Sequence, residues 1–174
     1  MPLSKYAPQV VTHRRTQSAI LAGAKNLITT IGLKKMSMIE IADVSEVSRA
    51  TLYNHYRDKE SVIRALCESE MARLVTIGQS AANSTDALEH LSLQISQDSA
   101  LAAMRTQDPE SLTSALAKQD DVLWQGFAVA MEHIVNNPIV SELCIRWLIG
   151  QVLHPLSAVQ SREQAEVITG FANL

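Results

Sequence analysis

The side chains with the most chemical reach stand close together between Ser37 and Lys59. Ser48, Arg49, Thr51, Tyr53, Asn54 and His55 follow one another almost without interruption, and Lys59 comes one turn later. Hydroxyls, an amide, an imidazole, a guanidinium and an ammonium suit hydrogen bonding to a polar, anionic partner. No nucleophile–base or paired-carboxylate spacing is among them.

The apolar residues between these groups say what positions them. After Ser37, a candidate N-cap, Ile39, Ile41, Ala42 and Val44 recur at helical spacing. Ser45-Glu46 leaves room only for a tight turn. Ser48 can cap a second helix from Arg49 to about His55, with Leu52 and Tyr56 facing inward beside Val47. Two short helices crossing over a small apolar contact, the second covered in hydrogen-bonding side chains, make a helix-turn-helix. In such a pair the start of the second helix enters the DNA major groove. Arg49 can fork onto guanine O6 and N7, Ala50 or the Thr51 methyl can meet a thymine methyl, and Asn54 can reach an edge base.

Beyond that pattern, the stretch resembles a known family. Ile41-Ala42, Val47-Ser48, Thr51-Leu52-Tyr53, His55-Tyr56 and Lys59-Glu60 look like the DNA-binding signature of TetR-family transcriptional regulators. The likeness begins with a first helix near His13, takes in Gly32, and fades after about Leu66. It implies contacts from Ser37, Ser48, Tyr53, His55 and Lys59 to the phosphates of double-stranded DNA. Lys59 also has an argument of its own. Asp58 is a good N-cap, and a lysine at the first helical position opposes the helix dipole unless an anion lies in front of it. Two positions depart from the family pattern: Glu46 and Ala50 stand where glycine is usual or common. A non-glycine residue at the turn is strained, which puts a left-handed turn at Glu46 in doubt.

Before this motif, residues up to Thr12 read as a loose arm whose Lys5, with Arg14 and Arg15, can touch phosphates or the minor groove. A first helix is expected from about His13 to Ile31, with Ile20, Leu21, Ala24, Leu27, Ile28 and Ile31 as its apolar stripe and Gly32 ending it. After Asp58 a long helix should reach about Gly78, and Gln79–Thr85 reads as a linker. Helices are then expected from Asp86, from Asp98 or Ser99, from Pro109 to about Val135 with a bend near Gln119-Asp121, from Ile139 to Leu153, and from Ser161. No strand pattern or repeat occurs. The expected fold is all-α: an N-terminal three-helix helix-turn-helix domain over residues 1–60, then a helical ligand-binding and dimerisation domain over 61–174.

The chain's 174 residues carry 15 Lys/Arg against 18 Asp/Glu, an overall −3 that hides a division. Through Glu60 there are nine basic and five acidic residues, a net +4, which leaves −7 for the remainder. A basic head on an acidic body fits a protein that meets DNA with one end. No apolar run approaches the roughly 18–20 residues of a membrane span, and the first residues lack a secretory h-region, so a cytoplasmic protein is expected. Cys67 and Cys144 lack partner spacing and read as reduced core residues. His90, His133 and His154 are isolated, and the adjacent Asp120 and Asp121 would diverge by about 100° on a helix. No metal, cofactor or catalytic residue is expected.

For the second domain, the resemblance implies a homodimer built by the last two helices and a small-molecule pocket among the others. The helix from Ile139 to Leu153 is apolar on more than one side, which supports the dimer independently. Leu143, Trp147 and Gly150, with Ala165, Ile168 and Phe171, are the candidate interface. Met71, Leu74, Met104, Trp124, Phe127 and Met131 are candidate pocket residues and serve equally well as ordinary core. The reading is a homodimeric DNA-binding regulator, a repressor released from a palindromic operator by an effector. An activator, a repressor without effector, and an all-α binding or catalytic protein with a vestigial motif stay open as alternatives.

Overall fold

The computed structural model describes residues 7–117 and 122–171, and ten helices, with no strand, occur among them. The chain divides into two compact units, Met1–Cys67 and Glu68–Leu174. The expected boundary after Glu60 lies at the start of the fourth helix, which crosses the division.

In the first unit, α1 (Ala7–Thr30) begins before the expected His13. Ala7–Val11 are therefore helical, not a loose arm. Pro8 sits in the first turn, where its missing N–H leaves no helical bond unmade. Lys5 lies outside the described residues. At the other end Gly32 takes φ 84°, and its N–H donates to the Leu27 carbonyl at 3.1 Å, the glycine stop read from the sequence. Ile20, Leu21, Ala24, Leu27 and Ile28 are all buried and form the wall on which the next helices rest.

Helix α2 (Met38–Val44) is fixed at its start by a capping box: Ser37 N–H donates to Glu40 Oε2 at 2.8 Å, and Glu40 N–H donates back to Ser37 Oγ. Ile41 and Ala42 turn inward. Ile39 and Val44, expected on the same apolar face, are exposed, because a two-turn helix has room for only one narrow buried stripe. A Cβ at Gly23 of α1 would run into the Ser45 hydroxyl, so the glycine lets α1 close on the end of α2. Helix α3 (Arg49–His55) is capped by Ser48, whose Oγ accepts from Thr51 N–H at 3.0 Å, and buries Leu52 and, just beyond it, Tyr56.

Helix α4 (Lys59–Ser80) starts at Asp58, whose Oδ1 accepts from Ser61 N–H at 2.8 Å. Val62 and Leu66 close the first unit's core. Leu66 takes the inward position, which leaves Cys67 exposed, contrary to its expected place in the core.

The second unit contains the rest of α4 with α5 (Ser84–Ser96), α6 (Ser99–Gln107), α7 (Pro109–Ala117), α8 (Val122–Val135), α9 (Pro138–Leu153) and α10 (Ala158–Phe171). Helix α5 is central: it packs on α8, α9 and α10, while α9 also packs on α8 and α10. Two starts differ from expectation. Asn83 caps α5 ahead of Asp86, and α10 begins three residues before Ser161, with Ser157 and Gln160 exchanging backbone and side-chain bonds. The helix expected from Pro109 to about Val135 is described as α7 and α8; residues 118–121 between them, with the expected bend at Gln119-Asp121, lie outside the described residues. Leu88, Leu91, Phe127, Met131, Cys144 and Leu148 make the centre of the core. Burial pushes the Cys144 thiol up to about 12, so it stays protonated as packing.

One polar cluster interrupts this core. Gln151 Oε1 lies 2.6 Å from Ser92 Oγ and 3.3 Å from Ser96 Oγ, and Ser161 Oγ lies 2.6 Å from Ser92 Oγ. All four residues are buried. Polar atoms buried together fix how α5, α9 and α10 slide past one another, since a shift would leave them without partners.

Candidate nucleic-acid interface

Helix α3 divides cleanly into two sides. Leu52 points into the core, whereas Arg49, Ala50, Tyr53 and Asn54 are exposed at i, i+1, i+4 and i+5 and so share one outward face. Tyr53 stands 55% exposed on this face. The structure thus brings together four of the nine side chains expected to meet bases or backbone.

The remaining candidates are held rather than free. Ser48 Oγ caps α3 and lies 2.8 Å from Thr51 Oγ1, so both hydroxyls are fixed at the helix start. Ser37 is exposed at the start of α2 with its oxygen in the capping box. His55, half-buried at the end of α3, stacks on His13 of α1 with ring centroids 4.2 Å apart. Burial, and then the neighbouring His13, hold the His55 pKa below the ordinary imidazole value of 6.5. The His13 partnership was not evident from the sequence, where 42 positions separate the rings and neither belongs to an apolar stripe.

Lys59 has an intramolecular task. Its Nζ donates to the carbonyls of Leu33 and Met36, each at 3.0 Å. These two carbonyls supply the partial negative charge that a lysine at a helix start requires. The ammonium thereby ties the first residue of α4 to the loop that ends at the Ser37 cap. Of its three donors, one is left for a phosphate. Beside it, the Asp58 carboxyl is held below the usual carboxylate range by the Ser61 N–H, then by Arg57 and the Ser61 hydroxyl.

Glu46 keeps the left-handed turn that its side chain had put in doubt. Its φ is 55°, its N–H donates to Asp43 O at 3.2 Å, and Val47 N–H donates to Ala42 O at 3.1 Å. The turn geometry comes from the packing of α2 against α3, and Glu46 accepts the strain.

In the second unit, Phe127 and Met131 are buried in the core, with Met71, Leu74 and Met104 packed against it. Trp124 meets Phe127 edge-on at 6.4 Å. Five of the six candidate pocket residues thus lie in or against the core, and the sixth, Trp124, touches it through Phe127. Among the candidate interface residues, Leu143 and Gly150 are exposed. Trp147 is half-buried and donates through Nε1 to Gln164 Oε1 at 2.7 Å. Ala165 is fully buried within the protomer's own core and Ile168 packs against it. The side chain of Phe171 lies outside the described ones. The exposed apolar residues of α10 are instead Val159 and Val167.

His90, His133 and His154 are all exposed, and among the described residues no three His, Cys, Asp or Glu side chains gather as a metal site would require. No described helix is long and apolar enough to cross a membrane.

Residues 20–66 match the family described as bacterial regulatory proteins, tetR family. No curated protein matches the chain. Solved structures share its fold at low identity. The fatty acid degradation regulator FadR from Bacillus halodurans is 14% identical with a TM-score of 0.65, over 90% of this chain and 94% of that one. A transcriptional regulator (TerR/AcrR family) from Aquifex aeolicus is 17% identical with a TM-score of 0.62, over 86% of this chain and 95% of that one. The dihydroxyacetone kinase operon activator DhaS is 13% identical with a TM-score of 0.64, over 91% of this chain and 96% of that one. The matched residues are those that present α3, so it is this stretch of the chain that is similar to the tetR family of bacterial regulatory proteins.

Proposed function

We propose that this chain works as a homodimer that binds a palindromic operator and represses transcription until a small-molecule effector releases it. The observation that carries the reading is the outward face of α3, where Arg49, Ala50, Tyr53 and Asn54 stand together on a helix whose start is fixed by Ser48. Arg49 reads a guanine, Ala50 or the Thr51 methyl meets a thymine, and Asn54 reaches an edge base. Ser37, Ser48, Tyr53, His55 and the remaining donor of Lys59 hold phosphates.

The dimer is supported by apolar surface that one protomer leaves open. Ile139 is 73% exposed and Leu143 48% on α9; Val159 is 66% and Val167 62% exposed on α10. An exposed apolar face on two neighbouring helices suits a two-fold interface, and nothing lies within 4 Å of a Cβ at Gly150, so a partner backbone can approach. Two-fold symmetry then places two α3 helices on two half-sites. The effector would enter the second unit, where partly buried Met71, Leu74, Met104 and Trp124 are the adaptable part of the packing.

A salt titration of binding to genomic DNA fragments tests the reading. Phosphate contacts from both heads give a steep fall of affinity with salt, and a flat or absent dependence overturns DNA binding. A reporter driven by a selected fragment then gives the sign of regulation: expression that rises with the protein present overturns repression.

A further inference from the structure

His55 is read as a phosphate contact, but its stack on the imidazole of His13 has no role in the motif as read. Their rings are 4.2 Å apart and 20° from parallel, and they join α1 to the last residue of α3. Among the described residues, neither ring has a hydrogen bond or an ion pair; the further ring contact is Tyr56, 6.2 Å from His55. Neutral imidazoles stack comfortably at this distance, whereas two cations so close repel each other.

The charged groups around the pair leave it without an anion of its own. On α1 the adjoining residues are Arg14 and Arg15, both exposed. On the other side Tyr56 follows His55, and Arg57 Nε pairs with Asp58 Oδ2 at 3.0 Å, the carboxylate nearest to His55 in sequence. Lys59 is held by the Leu33 and Met36 carbonyls.

We propose that His13 and His55 together form a proton-dependent phosphate site, which takes up a proton when the head meets the DNA backbone and holds a phosphate oxygen as a shared cation. The inference rests on the DNA-binding reading above and adds His13, on α1, to the contacting residues. In the free protein His55 is held toward its neutral form by partial burial and then by the neighbouring His13. A phosphate placed against the ring edges reverses that balance, because the anion offsets the second charge. Proton uptake and DNA binding are then linked, and affinity must rise as pH falls.

Two measurements on the full chain test this with a mixed-sequence duplex about two helical turns long. Imidazole NMR signals of the wild-type protein should show the protonation of His13 and His55 moving to higher pH when the duplex is added; unmoved midpoints overturn the proposal, with no variant required. Affinity should also rise as pH falls from about 8 to about 6, by up to roughly tenfold per pH unit, the limit for one proton. His13→Gln and His55→Gln should each flatten that dependence, with thermal melts confirming a folded head. Equal pH slopes in the wild type and both variants overturn the site. Failure of the wild-type protein to bind the duplex at any pH overturns the DNA-binding reading itself, and the phosphate site with it.

Discussion

The two units of this chain solve opposite surface problems. In the first, the outward side of α3 presents a guanidinium, a phenol and an amide, while the exposed aliphatics Val11, Ile39 and Val44 lie on α1 and α2. In the second, apolar side chains lie outside at Val122, Val129, Ile139, Leu143, Val159 and Val167, while Ser92, Gln151 and Ser161 lie inside. A surface of directed hydrogen-bond donors with a net positive charge suits a hydrated polyanion, where specificity comes from the geometry of individual groups. A surface of exposed aliphatics suits another protein surface of the same kind, where area matters more than direction. The first surface suits reading DNA, and the second suits assembly.

The largest effect should come from breaking assembly while leaving the reading surface untouched. Val167 is 62% exposed on α10, so aspartate there is harmless to the protomer's own core yet would lie unpaired in an apolar interface. Val167→Asp should weaken self-association by several kcal/mol, on the order of 2–5. Light scattering should show a monomer, and operator binding should fall sharply because the two half-sites are no longer engaged together. A dimeric Val167→Asp protein would place the interface on another face, and a monomer that bound normally would end the comparison.

Next comes the reading surface. Arg49→Ala should cost about 1–3 kcal/mol on the operator and leave weak non-specific binding nearly intact, since it removes a base contact and no phosphate contact. Equal losses on specific and random DNA would turn Arg49 into a backbone contact. Lys59→Met sharpens the same distinction from inside the fold. Removing its ammonium strips two carbonyls of their donor and should lower stability by about 1–2 kcal/mol in a thermal melt. If its free donor also holds a phosphate, the salt slope falls by about one unit. An unchanged slope leaves Lys59 as the tie between α4 and the Leu33–Met36 loop and nothing more.

The difference between the units also explains what could be read in advance. Helix α3, its Ser48 cap, the Gly32 stop and the inward Leu52 were all legible, because each depends on a residue type at a fixed position. The family likeness over residues 20–66 is visible for the same reason. In the second unit many apolar residues can fill a core interchangeably, and the fold persists in solved structures only 13–17% identical. The helices were therefore legible there, but their rotation was not. Ala165 and Ile168 were expected at an outer face, whereas Ala165 is buried in its own unit's core and Ile168 packs against it. Gln151, a polar residue on an apolar helix, is buried with Ser92. Only tertiary neighbours decide such matters, and so too for His13, which finds His55 across the head, and for Ile39, which lost its place on a helix too short to bury it.

The smallest effect tests whether the turn between α2 and α3 is kept by packing or by sequence. Glu46 holds φ 55°, a conformation that costs a non-glycine residue about 1–2 kcal/mol, whereas glycine adopts it freely. Against this gain, glycine loses more conformational entropy on folding, by roughly 0.5–1 kcal/mol. Glu46→Gly should therefore stabilise the head by a net of up to about 1 kcal/mol, read as a rise in its melting temperature. The Glu46 side chain is exposed, so no buried contact is lost. DNA affinity should also rise slightly, because removing an acid beside the reading helix lessens repulsion of phosphates; that part should vanish at high salt, whereas the gain in stability should not. A Glu46→Gly protein less stable than the wild type would mean that the carboxylate holds the turn, and that the first unit relies on a specific side chain where it was read as relying on packing.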